Sequence, residues 1–224
     1  MKNTFMKASL TDSGNYIKDL IRKGENKHQD FKFEISDARK IARTFAAFAN
    51  TEGGRLLIGV KDNGRISGIR SEEEAYMAES AAHLFCKPQV VFQLKKWIVD
   101  GHAVLEVNIP MSKKKPHYAM NEAGEWTAYL RVGDQNIQAN RVLENVWKNE
   151  GKNKGIFLAY GSAEKALIKY LNENEEINLS KFMRIARINR LQGENILISL
   201  ILLDVVEMDI TERAVHYRLK EQIT

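Results

Sequence analysis

Apolar positions recur along the chain at helical spacing first and at strand spacing soon after. Tyr16, Ile17, Leu20 and Ile21 form a short helical stripe, and Gly24 suits the residue just past a helix end. From His28 to Ile35 the side chains alternate, with Phe31, Phe33 and Ile35 on one side and Asp30, Lys32 and Glu34 on the other. That predicts a strand with one buried face. Ser36 then predicts a cap for a helix running through Asn50, with Ala38, Ile41, Ala42, Phe45, Phe48 and Ala49 inward. After Thr51-Glu52-Gly53-Gly54, the nearly all-apolar centre of Arg55–Lys61 predicts a buried strand. Asp62-Asn63-Gly64 predicts a tight turn into a short strand over Ile66–Arg70.

Ser71 and Glu74 have capping-box spacing for a second helix, which runs to about Cys86 and stops before Pro88. Two extended stretches, Val90–Val99 and His102–Ile109, meet at the hairpin signal Asp100-Gly101. A lysine loop ending at Pro116 precedes a strand over Trp126–Val132 and a helix over Arg141–Lys148. Hairpins outnumber helical crossovers, so residues 1–150 read as an α+β domain, a mixed sheet with helices packed on it. Glycine, lysine and asparagine at 151–155 mark a linker over 151–160. Residues 161–224 then predict helices over Ser162–Asn172, Leu179–Ala186 and Leu191–Leu203, followed by a hairpin around Val205–Leu219. Three helices and a hairpin are the outline of a small winged-helix domain. No period of repeat length recurs.

Composition narrows the function classes. With 44% hydrophobic and 28% charged residues, the chain is no disordered tail. The longest apolar run, Ile196–Leu203, is broken by Ser199 and falls far short of the roughly 20 residues of a membrane span. Met1–Gly14 has no apolar leader segment, so a cytoplasmic protein without a membrane partner is expected. The single cysteine, Cys86, excludes an internal disulfide and any cysteine-rich zinc site. The five histidines lack metal-ligand spacing, and no serine sits in a nucleophile elbow. No phosphate-binding loop occurs either, because Gly151-Lys152 is followed by asparagine, so ATP is not expected as a cofactor. Net charge is +5, and residues 1–70 carry 14 basic against 8 acidic side chains. That excess permits a polyanionic partner.

Three blocks give the first domain a family likeness. They are Gly24-Glu25 with Asp30-Phe31-Lys32, then Thr44 to Gly54 (TFAAFANTEGG), then Leu57 to Gly64 (LIGVKDNG) continuing to Gly68. Over roughly residues 16–150 the chain resembles the Schlafen-type AlbA-like domain, a family often labelled DNA-binding. The resemblance implies a nucleic-acid partner, DNA or structured RNA. Schlafen relatives cleave structured RNA with three acidic residues and a divalent metal. The matching positions here are Glu25, Asp30 and Asp62, with aspartate at 30 where the family usually has glutamate. In that reading the three carboxylates bind magnesium or manganese, and Lys32 orients water or balances phosphate charge. The same residues also fit a helix end, a solvated strand face and an ordinary turn.

Candidate phosphate contacts in the first domain are Arg55, Lys113, Lys114, Lys115 and Arg131, with Trp126 and Tyr129 as rings on which a base can stack. Backbone amides at Asn50 and Gly53-Gly54 are a further phosphate candidate. In the second domain Lys181, Arg184, Arg187 and Arg190 recur every three residues, where a winged helix carries its reading elements. Glu207, Asp209 and Glu212 on the expected wing oppose that role, and the apolar run at 191–203 suits a core or a homodimer seam as well. The expected function is a nucleic-acid-binding bacterial transcriptional regulator. The alternatives are a metal-dependent endoribonuclease using Glu25, Asp30, Lys32 and Asp62, or a dimerising interaction protein.

Overall fold

The computed structural model describes residues 13–150, 152 and 160–221. Most of the stretch 1–14 and of the linker expected over 151–160 lies outside them. The chain divides into two compact units, 1–138 and 139–224.

The first unit is α+β, as expected. Helix α1 (Ser13–Arg22) precedes β1 (Gln29–Lys32), α2 (Ala38–Asn50) and β2 (Gly54–Ile58). Then come α3 (Glu73–His83), β3 (Cys86–Lys87), β4 (Gln93–Val99), β5 (His102–Ile109), β6 (Tyr118–Met120), β7 (Trp126–Val132) and β8 (Gln135–Gln138). One sheet has the order β1-β2-β5-β4, parallel between β1 and β2 and antiparallel elsewhere. The other is the antiparallel β3-β6-β7-β8. The first sheet is therefore mixed because α2 carries the chain back to start β2 alongside β1.

Both faces of the mixed sheet are covered. Ile17 and Leu20 of α1 pack with Phe31, Leu57, Val99 and Val104 on one side. Ile41, Phe45 and Phe48 of α2 pack with Leu56, Ile58, Leu105 and Val107 on the other. Helix α2 also packs against α3, β6 and β7, so it is enclosed rather than half-solvated. Its alanines at 42, 46, 47 and 49 are at most 1% exposed, and their small side chains let neighbours approach on several sides. Burying Phe45 and Phe48 completely contributes roughly 1.5–3 kcal/mol each.

Several expected boundaries move. Regular pairing of β1 ends at Lys32, and Asp30, expected on a solvated face, is 3% exposed because that face meets β7 and α2. Asp37 rather than Ser36 caps α2, accepting from the Arg39 amide. Glu74 does not close a box with Ser71. Its carboxylate instead accepts from the amides of Arg70 and Ile35, tying α3 to the chain after β1. The strand expected over 66–70 is only a bridge between Val60 and Ile66. Strand β8 has no counterpart in the sequence reading, since Ile137 is its one apolar side chain.

The second unit contains α4 (Arg141–Asn149), α5 (Ser162–Glu173), α6 (Leu179–Ala186), α7 (Arg190–Leu202) and the antiparallel hairpin β9 (Val206–Ile210) with β10 (Val215–Leu219). Asn140, Asn178 and Asn189 cap α4, α6 and α7, each accepting from an amide three residues on. The helix expected to close the first domain packs here, with Val142 and Val146 beside Leu167, Phe182, Leu197 and Leu200. Helix α7 explains its own apolar run. It meets α4, α6 and β9, so Leu197 and Leu200 are buried and Ile196, Ile198, Ile201 and Leu202 pack against the core. Leu191 and Leu203 are what the expected seam leaves exposed.

Candidate nucleic-acid interface

Three segments remote in sequence meet where β2 begins. Lys27 and His28 precede β1, Glu52 to Arg55 follow α2, and the loop after β5 returns with its lysines. The Ser112 amide donates to the Ala49 carbonyl, and the Lys115 ammonium reaches the Thr51 carbonyl at 3.4 Å. A cation there complements the negative end of the α2 dipole. Glu52 pairs with Lys27 and lies 3.3 Å from His28 Nε2. The Lys27 ammonium, assisted by His28 and Lys115, holds its carboxyl below the usual range. Lys113 and Lys114 are exposed and make no ion pair among the described residues. One carboxylate thus faces several cations, and the edge is net positive.

Arg55, expected here, is only partly available. Its Nε donates to Glu106 Oε1 at 2.7 Å, and Tyr16 and the Trp97 indole also donate to that carboxylate. Glu106 is 1% exposed, and these three donors are what keep a buried charge tolerable. The Arg55 side chain still keeps 28% of its surface open, at the rim of a pocket of ≈ 410 Å³. His28, Val91, Gln93, Asn108 and Pro110 also line it.

The glycines of this turn are structural. Gly53 has φ +77°, and a Cβ there would lie 2.8 Å from the backbone of Ile109 and Met111. A Cβ on Gly54 would enter the Phe48 ring. The Gly53 amide is spent on the Phe48 carbonyl, which removes it as a phosphate donor. Asn50 is equally committed: it donates to the carbonyls of His117 and Tyr129 and accepts from the His117 amide.

Arg131 is a correction. Expected at a phosphate, it is 2% exposed, and its guanidinium donates to Asp30, to the carbonyls of Asn26 and Gln29, and to Asn136. It lies over the Phe48 ring with 5.1 Å to the centroid. Trp126 is 40% exposed, beside Lys87 at the far end of β7 from Arg131, so it does not join the lysine loop.

Two of the three expected metal ligands meet. Glu25 and Asp30 are hydrogen-bonded neighbours. Burial, and then the hydrogen bond to Asp30, push the Glu25 carboxyl above its usual range, against the hydrogen bond from the Phe31 amide. Lys32 Nζ is 3.0 Å from Asp30 Oδ2, and Thr44 also reaches that oxygen. Asp62 stays exposed in its turn. Among the described residues no three carboxylate, imidazole or thiol groups converge to hold a metal ion. The Asp30 oxygens already meet Lys32, Arg131 and Thr44, so these residues do not fit a divalent cation as they stand.

In the second unit Arg184 and Arg187 are exposed and unpaired among the described residues, and Arg187 ends α6 with φ 54°. Lys181 lies over the Tyr170 ring. Arg190 is engaged, its Nε 2.8 Å from the buried Glu194, which Arg141 also approaches. On the hairpin Glu207 is paired with Arg218.

The residues that sequence reasoning missed are Lys27, His28, Gln93 and Asn108. Each sits at a strand end or just before one, and no linear spacing joins them.

Among solved structures the chain is similar to the DIP2311 protein of Corynebacterium diphtheriae, at 20% identity and a TM-score of 0.45, over 65% of this chain and 32% of that one. It therefore spans about a third of that protein's length. It is also similar to the N-terminal domain of a RecG-related protein of Nitrosomonas europaea named for an ATP-dependent DNA helicase. There the identity is 23% and the TM-score 0.38, over 58% of this chain and 95% of that one. No curated protein matches. The Schlafen, AlbA_2 family profile matches residues 25–140, a stretch from the end of α1 through β8 that covers more than half of the chain. With its neighbouring Glu25 and Asp30, its enclosed α2 and its double-glycine turn all inside that stretch, the chain belongs to the Schlafen, AlbA_2 family.

Proposed function

We propose that the protein binds nucleic acid through the basic edge of its first unit and serves as a transcriptional regulator. The observation that carries this reading is the gathering of Lys27, Arg55 and the loop of Lys113, Lys114 and Lys115 at one end of the mixed sheet, where Glu52 meets Lys27 and Lys115 and Arg55 is held by Glu106. The second unit supports it: helices α5, α6 and α7, the hairpin after them and the backbone bridge between Ile177 and Tyr217 follow a winged-helix outline, to which α4 is added, with Arg184 and Arg187 open on it. Pairing of Glu207 with Arg218 softens the acidity that opposed contact by the hairpin.

The ribonuclease alternative rests on the Glu25–Asp30 pair beside Lys32, and it requires Asp62 or another ligand to join them. The interaction-protein alternative requires a seam that α7 spends largely on its own core.

Fluorescence anisotropy with duplex DNA, single strands and a structured RNA, each across a salt series, tests the proposal. Replacing Lys113 and Lys114 by alanine should weaken binding to every sequence alike. It should also flatten the salt slope by roughly 0.7–0.9 for every phosphate no longer neutralised. A wild-type protein that binds none of the three would overturn the reading.

A further inference from the structure

We infer that the pocket at the Gly53 end of the mixed sheet receives a single unpaired nucleobase, so that the protein prefers single-stranded or looped nucleic acid to intact duplex. The inference rests on the nucleic-acid reading above and names the form of polymer it takes.

The pocket has a flat polar floor. Gln93, Asn108 and Arg55 stand directly opposite one another across β4, β5 and β2, so their side chains share one face of the sheet. Asn108 lies two residues beyond Glu106, where Tyr16 of α1 closes the same face. This row is therefore the first one past the cover that α1 provides. Two amides and the part of the Arg55 guanidinium not committed to Glu106 offer donors and acceptors in one row, the chemistry that reads the polar edge of a base.

The walls suit the rest of a nucleotide. Val91 is 75% exposed at the mouth and gives an apolar side for a base face, while the ring of its neighbour Phe92 is turned into the core against Phe45, 5.3 Å between ring centroids. Lys27 and Lys115, around Glu52 beside His28, supply positive charge on the other side for the phosphate. A volume of ≈ 410 Å³ lies within the usual range for small-ligand sites and accommodates one nucleotide, not a stack. Concavity decides between polymer forms. A duplex keeps its base edges inside grooves that admit a protruding helix or ribbon, whereas a recess at a sheet end needs a base that can leave its stack.

The test compares wild type with two pocket variants and with the Lys113→Ala/Lys114→Ala variant. Labelled single strands of about 12 nucleotides and the matching duplex serve as probes. Wild type should bind the single strand about tenfold tighter than the duplex at equal salt. Gln93→Ala/Asn108→Ala should lower single-strand affinity about tenfold, in keeping with 1–3 kcal/mol for a paired base edge, and leave duplex affinity within about twofold. Val91→Asp, at an exposed position that the fold tolerates, should act in the same direction and carries the test if the double variant unfolds. A 2-aminopurine in the strand should change its emission on saturation with wild type but not with Val91→Asp. If the lysine variant weakens both probes while the pocket variants alter neither affinity nor emission, the pocket is no base site and the basic edge stands. If wild type binds no probe, both readings fall together.

Discussion

At the scale of single residues, burial reverses the roles that linear pattern suggests. Arg131 and Asp30 were candidates for phosphate and metal, yet they form an ion pair with side chains 1% and 4% exposed. Removing one partner of such a pair strands the other charge. Arg131→Ala should therefore cost about 3–5 kcal/mol in urea unfolding. A loss under about 1 kcal/mol would mean that Lys32 and Thr44 satisfy Asp30 without it. Glu25 makes a second prediction. Its carboxyl titrates higher in the fold than in the unfolded chain, so the native state binds the proton more readily and stability falls as pH rises through that raised value. Glu25→Gln keeps an acceptor for the Phe31 amide and offers Asp30 a permanent donor. Thermal midpoints of the two proteins should coincide near pH 4 and separate toward pH 7, with the variant higher. A gap constant across that range would show that the Glu25 carboxyl is not raised by its burial beside Asp30.

At the scale of elements, α2 is the organiser. Apolar spacing showed its inner stripe, but Thr44, Ala46, Ala47 and Asn50 are buried as well, because the second sheet closes on the opposite side. Ala46→Leu should cost about 1–3 kcal/mol through overpacking, whereas Lys40→Ala on the exposed side should stay within about 0.5 kcal/mol. Equal costs in chemical denaturation would contradict an enclosed helix. Strand β8 shows the opposite limit. Gln135–Gln138 is polar enough to read as loop, and only its pairing with β7 makes it a strand.

At the scale of the whole molecule, each unit presents its own free cations: Lys113 and Lys114 in one, Arg184 and Arg187 in the other. If the second unit also meets phosphate, Arg184→Ala/Arg187→Ala should flatten the salt slope by roughly 0.7–0.9 for each phosphate that those arginines neutralise. Arg190→Ala should mainly lower stability instead, because its guanidinium serves Glu194. Unchanged affinity and slope in the first variant would confine binding to the first unit. Helix α7 belongs to this scale too, since its run of leucine and isoleucine is met by α4, α6 and β9 of the same unit.

What the sequence determined by itself is what short-range physics governs. The Asp100-Gly101 and Asp62-Asn63-Gly64 turns, the helix spans of α2, α6 and α7, and the α+β class all follow from spacing, capping and turn chemistry within a few residues. The family likeness was legible for the same reason, as its blocks are contiguous. Only the tertiary structure decided which charged groups are free. Arg131 lies 101 residues from the Asp30 it neutralises, and Asn50 lies 67 from the His117 backbone it ties down. Gln93, Asn108 and Arg55 share a row solely through strand register. A cation's availability depends on who faces it, and partners across strands carry no signature in the chain's linear order.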